Sequence, residues 1–228
     1  MDREFDRRDV PFNDRVEAGT ELARHLQRYA GRVDTTVLGL PRGGVPVAAA
    51  VAAALGAPLD VFTVRKLGVP GHREVAMGAI AAGGIRILNR ELIDALDLSD
   101  RAVDDIIAEE ERELARRERL YRGGRPALVL ANRIAILVDD GLATGSTMRA
   151  AVRALRDLHP ARIVVAAPVA SIEACRDLET VADEVICARI PRYFMAVGQW
   201  YLDFSETSDA EVTELLVKSP AAGAAPAR

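Results

Sequence analysis

Short runs built around consecutive apolar residues alternate along this chain with segments whose apolar residues recur every three or four positions. "TTVLGL" (35–40), "PLDVFTVRKL" (58–67), "RIAILV" (133–138), "ARIVVAAPV" (161–169) and "ADEVICA" (182–188) are of the first kind. They read as strands buried on both faces. Ala18, Leu22, Leu26 and Tyr29 share one face of a helix that ends at Gly31. A second helix is expected over roughly 45–55. A third, starting near Ser146, carries Met148, Ala151, Val152, Leu155 and Leu158, and a fourth starts at about Ser171. "VAMGAIAAGGIRIL" (75–88) suggests two short strands about a Gly-Gly turn, and "GVPGHRE" (68–74) a loop. Continuously apolar strands alternating with helices predict an α/β fold: a parallel core sheet with helices on both faces.

Residues 99–121 are dominated by charge, with Val103, Ile106, Ile107, Leu114 and Leu120 on a narrow stripe. This is the pattern of a solvated surface helix, and its charges need no function. "SDAEVTELL" opens with a capping box, Ser208 and Glu211. The low-complexity stretch 218–228 reads as a disordered tail.

The 228 residues suit a single domain over 1–217, with a core over about 32–190. The net charge of −4 argues against nucleic-acid binding. Cys175 and Cys187 have no metal-ligand spacing and make no disulfide framework. The N-terminus "MDREFDRRDV" lacks the apolar core of a signal peptide, and "VPVAAAVAAALGAPLDVF" is broken by Pro58. A cytoplasmic location without membrane contact is expected.

The chemistry concentrates in "ILVDDGLATGSTM" (136–148). In a doubly wound sheet ligands bind beyond the carboxyl ends of the strands, so this strand delivers Asp139 and Asp140 to the ligand edge. The turn that follows offers backbone N–H groups and a helix N-terminus to an anion, with hydroxyls from Thr144, Ser146 and Thr147. Gly145 permits close approach. Two carboxylates would repel a phosphate, but they can accept from sugar hydroxyls or hold Mg²⁺ through water. A ribose 5-phosphate meets all of these demands.

The stretch resembles the phosphoribosyl-pyrophosphate signature of the type I phosphoribosyltransferases, above all the Asp-Asp and Ala-Thr-Gly form of the adenine enzymes. The resemblance implies the type I phosphoribosyltransferase fold with a small hood subdomain, built from about 191–207 and the N-terminal segment. It implies that Asp139 and Asp140 hold the ribose hydroxyls and, through water, Mg²⁺, while Ala143, Thr144, Gly145, Ser146 and Thr147 cradle the 5-phosphate. "LGLPRGGVPVA" resembles the family's diphosphate loop, with Arg42 pairing with the diphosphate and Gly43 and Gly44 offering their amides. "VRKLGVPGHREVAMGAI" stands where the family carries a mobile closing loop. Arg65 and Lys66 would there neutralise the leaving diphosphate, with Glu74 as proton acceptor or substrate contact; His72 could equally be a solvated loop residue.

"PRYFMAVGQWYLDFSE" (191–206) is either an ordinary aromatic core cluster or a hood whose aromatic face stacks on a base. It is loosely similar to the hood segment of the hypoxanthine-guanine enzymes, which would place Phe194, Trp200 and Asp203 against the acceptor. Those enzymes carry an aspartate at the place of Ala143 to handle a purine proton, so that chemistry does not carry over. The resemblance implies transfer of a phosphoribosyl group from phosphoribosyl pyrophosphate to a nucleobase-like nitrogen acceptor, with Mg²⁺, by a homodimer. A reverse or hydrolytic enzyme and a non-catalytic regulator that binds phosphoribosyl pyrophosphate are the alternatives.

Overall fold

The computed structural model describes residues 10–70, 72–126 and 128–219. Among them, five parallel strands form the core sheet: β1 (Thr35–Gly39), β2 (Leu59–Val61), β6 (Ile134–Val138), β7 (Arg162–Val169) and β8 (Glu184–Arg189), in the order β2-β1-β6-β7-β8. The α-helices of the described residues are α1 (Arg15–His25), α2 (Gly44–Leu55), α3 (Arg90–Ala95), α4 (Asp100–Arg122), α5 (Ser146–Arg156), α6 (Ile172–Glu179) and α7 (Asp209–Lys218). Alternate residues of each core strand face opposite layers. Ile134, Ile136 and Val138 pack with residues of α1, α2 and α7, whereas Ala135 and Leu137 pack with α5 and α6. A parallel sheet covered on both faces explains why its central strands read as mainly apolar runs.

β1 leads through α2 to β2 on one side, and β6 leads through α5 to β7 on the other. The chain therefore turns away in opposite directions from the neighbouring strands β1 and β6. A crevice opens at their carboxyl ends, the position where this class of sheet binds ligands. Gly39 pairs with Val138, so the two strands end level.

A second sheet, the flap, is antiparallel: β3 (Val64–Val69), β4 (His72–Ala81) and β5 (Ile85–Leu88). The β4–β5 pair turns through Gly83 and Gly84, both at positive φ, as the pattern predicts. "PLDVFTVRKL" is not one strand. It leaves the core sheet after Val61, and Val64 begins the flap. "GVPGHRE" is not a free loop either, because β3 and β4 pair across most of it, Val69 opposite His72. A strand and a pleated hairpin arm have the same period, which hid the break.

α4 begins at the Ser99 cap and lays Val103, Ile107 and Leu114 on the flap beside Leu67, Met77 and Ile80. Leu120, expected on the stripe, is exposed, and Tyr121 is buried in its place. The charges of α4 are also more engaged than a solvated face requires. Arg122 donates to the buried Asp60 of β2 at 3.1 and 3.2 Å, and the Tyr121 hydroxyl donates to Asp209 at 2.5 Å. α7 opens with the Ser208 hydroxyl accepting from the Glu211 N–H. It runs to Lys218, just inside the stretch expected as tail; residues 220–228 lie outside the described residues. Among the described residues no helix is long and apolar enough to cross a membrane.

Candidate functional site

The site forms where β1 and β6 end. β6 is buried over its five residues, and the next two residues, Asp139 and Asp140, are only half-buried at the open edge. Burial pushes the Asp139 carboxyl well above its usual range, and the neighbouring charge of Asp140 pushes it further. The Asp140 N–H, donating to Asp139 Oδ1 at 2.9 Å, opposes this shift. The Asp140 carboxyl is also raised by burial, against the pull of the Arg15 guanidinium. Two adjacent acids partly withdrawn from water are costly as a doubly charged pair, so the site favours anything that brings positive charge or hydroxyl donors.

The loop after them is fixed from outside. The Leu142 N–H donates to Val169 O and the Ser171 N–H to Leu142 O. The Ser171 hydroxyl donates to Ala143 O at 2.7 Å. Gly145 takes a left-handed conformation, φ 66°, that turns the chain directly into α5. The first N–H groups of α5 have no acceptor within the helix, and that of Ser146 donates to Thr144 Oγ1 at 3.4 Å. The Thr144 and Ser146 hydroxyls lie 3.2 Å apart beside them. Together the loop and Val197 enclose a cavity of about 170 Å³. Its size, amide donors and hydroxyls suit a phosphate group.

"PRGG" follows β1 and packs directly on the acids. The Cβ that an alanine would add at Gly44 would sit 2.6 Å from Val138 O and 2.9 Å from Asp139 Cα; at Gly43 it would overlap the Asp140 carboxylate. These glycines are required by proximity to the acid pair, since neither has a positive φ. The Pro41–Arg42 peptide is cis. The Arg42 guanidinium donates to Glu206 and lies 4.0 Å from Asp209.

Arg42, Gly43, Gly44, Asp139, Asp140 and the loop Ala143–Thr147 are therefore brought to one edge, as expected from the sequence. The flap candidates are carried by the antiparallel sheet, whose residues Ala76, Gly78 and Ala79 line a cavity with Thr144 and Ser146. Arg65 in β3 is engaged by Glu110 of α4, its Nε 2.6 Å from the carboxylate, and Lys66 is its neighbour on β3. Glu74 and His72 fall in β4, but their side chains lie outside the described residues. Of the hood candidates, Trp200 is only 7 % exposed and packs with Phe12, Ala18, Val169 and Tyr201 as core. Phe194 leans on that cluster. Asp203 accepts from the Ser205 N–H at 2.9 Å on the surface.

Several residues at the site carry no motif. Phe12 pairs with Tyr201, exchanging backbone bonds with Trp200 and Leu202, and so draws the N-terminal segment onto the hood. Arg15, the first residue of α1, reaches Asp140 Oδ2 with Nε and Nη2, each at 2.9 Å. The Tyr201 hydroxyl donates to Asp140 O at 2.5 Å. Phe204 stacks on Tyr201 with centroids 5.1 Å apart. Nothing local marks Arg15 in a chain rich in arginine, because its partner lies 125 residues away.

Residues 13–201 match the family model described as phosphoribosyl transferase domain. Two curated relatives from strains of Mycobacterium tuberculosis bear the provisional name phosphoribosyl transferase. Each is 45 % identical over 205 residues, 90 % of this chain and 46 % of the relative. The chain thus spans about half the length of the curated relatives it matches. The crystal structure of TT1426 from Thermus thermophilus superposes with a TM-score of 0.82 at 43 % identity, covering 92 % of this chain and 99 % of that one. The edge where a carboxylate pair meets a phosphate-sized loop thus belongs to a known lineage: the chain is a member of the phosphoribosyl transferase domain family, with the type I fold.

Proposed function

We propose that this protein binds phosphoribosyl pyrophosphate with Mg²⁺ and transfers the phosphoribosyl group to a nucleobase-like nitrogen acceptor, releasing diphosphate. The observation that carries the reading is the meeting, at one sheet edge, of an acid pair, a phosphate-sized cavity and an arginine-glycine loop. Asp139 and Asp140 accept from the ribose hydroxyls. The loop 143–147 takes the 5-phosphate through amides and hydroxyls. Arg42 and the amides of Gly43 and Gly44 face the diphosphate, where a planar guanidinium can make two parallel bonds.

Among the described residues no three His, Cys, Asp or Glu side chains come together to hold a metal ion. Two half-buried carboxylates suit a hard cation that takes only one or two protein ligands and completes its shell from water and substrate phosphate. Asp139 and Asp140 are the residues that would hold Mg²⁺, and the ion would offset the charge that develops on the departing diphosphate. The chain's own contribution is to align donor and acceptor and to exclude water from carbon 1 of the ribose.

The reading is tested by calorimetry with Asp139→Asn and Asp140→Asn combined. Binding of phosphoribosyl pyrophosphate with Mg²⁺ should be lost while the circular dichroism spectrum stays native; unchanged affinity overturns the assignment. Diphosphate release across a panel of nitrogen heterocycles then identifies the acceptor. Binding without release for the whole panel would identify a regulator.

A further inference from the structure

Arg15 joins the donor acids to the hood segment through a single side chain. Its Nε and Nη2 both donate to Asp140 Oδ2 at 2.9 Å, and its Nη1 donates to the backbone oxygen of Ser205 at 2.7 Å. Its guanidinium carbon lies 4.2 Å from the centre of the Phe204 ring and 5.9 Å from that of Tyr201. Arg15 and Asp140 side chains are 12 % and 16 % exposed, so solvent screens this pair less than a surface pair. Asp14 caps the helix that presents it, its carboxylate accepting from the N–H groups of Val16 and Glu17. The arginine is therefore held at its stem by a helix cap, on one face by an aromatic ring, and at its fork by two acceptors from different segments.

With Arg42, Gly43, Asp140, Phe204 and Glu206, Arg15 lines a cavity of about 380 Å³. The fork takes one oxygen of Asp140, Oδ2, and the residue itself borders this cavity.

Resting on the donor reading above, we propose that Arg15 is a positioning residue for the ribose: it fixes the Asp140 carboxylate so that one oxygen is presented to a sugar hydroxyl, and it does so only while the segment 201–205 is seated. The Tyr201 hydroxyl, donating to the backbone oxygen of the same aspartate, makes a second tie between that segment and Asp140. The hood thereby governs the grip on the donor as well as the space for the acceptor. An arginine that served only to neutralise charge would need neither the Ser205 bond nor the Phe204 shelf.

The test compares three probes by calorimetry at fixed salt: ribose 5-phosphate, 2-deoxyribose 5-phosphate and inorganic phosphate. The unaltered protein should prefer ribose 5-phosphate over its deoxy analogue. In Arg15→Gln that preference should fall by about tenfold, the scale of a lost charge-assisted pair of bonds, with inorganic phosphate affinity changed less than about twofold. A purely structural role would weaken all three probes together, and that result overturns the inference, as does a preference that survives the substitution. Arg15→Lys keeps the charge and the stem but not the fork, and should retain an intermediate preference. It decides the matter if the glutamine variant does not fold, and a lysine variant with undiminished preference overturns the inference. An unaltered protein that binds ribose 5-phosphate no better than the deoxy analogue overturns the donor reading itself.

Discussion

Gly43 lies against Asp140 so closely that the hydrogen of one faces the carboxylate of the other, with no room for a methyl group between them. The arginine-glycine loop and the acid pair are thus one packed unit. Gly43→Ala should force the Asp140 side chain off its position, as overpacking displaces whatever yields most easily. We expect ribose 5-phosphate affinity to fall about tenfold or more while the melting temperature changes by only a few degrees. Calorimetry and thermal denaturation on the same preparation check this, and intact affinity would show that the acid can move without consequence.

Arg42 and Glu206 concern the same cavity from the other side. The pair is solvent-facing, with side chains 35 % and 76 % exposed, so the attraction is worth little by itself. An anion that needs Arg42 must nevertheless displace Glu206. Glu206→Gln should therefore tighten inorganic diphosphate binding about two- to fivefold, and Arg42→Ala should weaken it by about tenfold or more. Equal affinities in all three proteins would remove Arg42 from the diphosphate site.

Stability should carry a signature in acid. Glu21 of α1 accepts two bonds from Arg189 at the end of β8, at 2.8 and 2.6 Å. That bonding holds the Glu21 carboxyl below its ordinary 4.5, against the opposing effect of burial. A depressed carboxyl stabilises the fold above its unfolded pKa, and the contribution is lost as pH falls through the folded value. Glu21→Gln should melt lower than the unaltered protein at pH 7, and the difference should shrink toward about pH 3. A difference independent of pH would show that Glu21 acts through packing alone.

Trp200 is expected from its sequence context to meet the acceptor, but its burial among Phe12, Val169 and Tyr201 places it in the core. Trp200→Ala should cost about 3–5 kcal/mol, the range for emptying an aromatic core site. In a chain of this length that lowers the melting temperature by roughly 10 °C or more. The exposed Tyr193, in contrast, should tolerate alanine with little loss of stability. Similar melting curves for both variants would return Trp200 to the surface.

The legible parts of this molecule were those whose cause is local. Ile134–Val138 must be buried on both faces, and the acids that stop the run must stand at the sheet edge. Gly145 and the capping hydroxyls of Ser171 and Ser208 each act within a few residues of themselves. The break after Val61 was not legible, because "VFTVRKL" satisfies a core strand and a hairpin arm equally well. Nor was the Arg15–Asp140 pair, whose members are joined only by the fold. Nor was the engagement of Arg65, expected at the leaving diphosphate, because Glu110 sits on a helix whose charges, seen in sequence, all look solvated.

The level ends of β1 and β6 act as a ruler. Hydrogen-bonded neighbouring strands stand ~4.8 Å apart, and that backbone spacing sets the gap between the arginine-glycine loop and the acid pair. Side chains at the edge can change what is gripped, but the distance between the two grips belongs to the ladder that pairs Gly39 with Val138. The flap and α4 enter the sequence between those two strands without entering the ladder. They can differ in length and composition while the measure applied to the ligand stays the same.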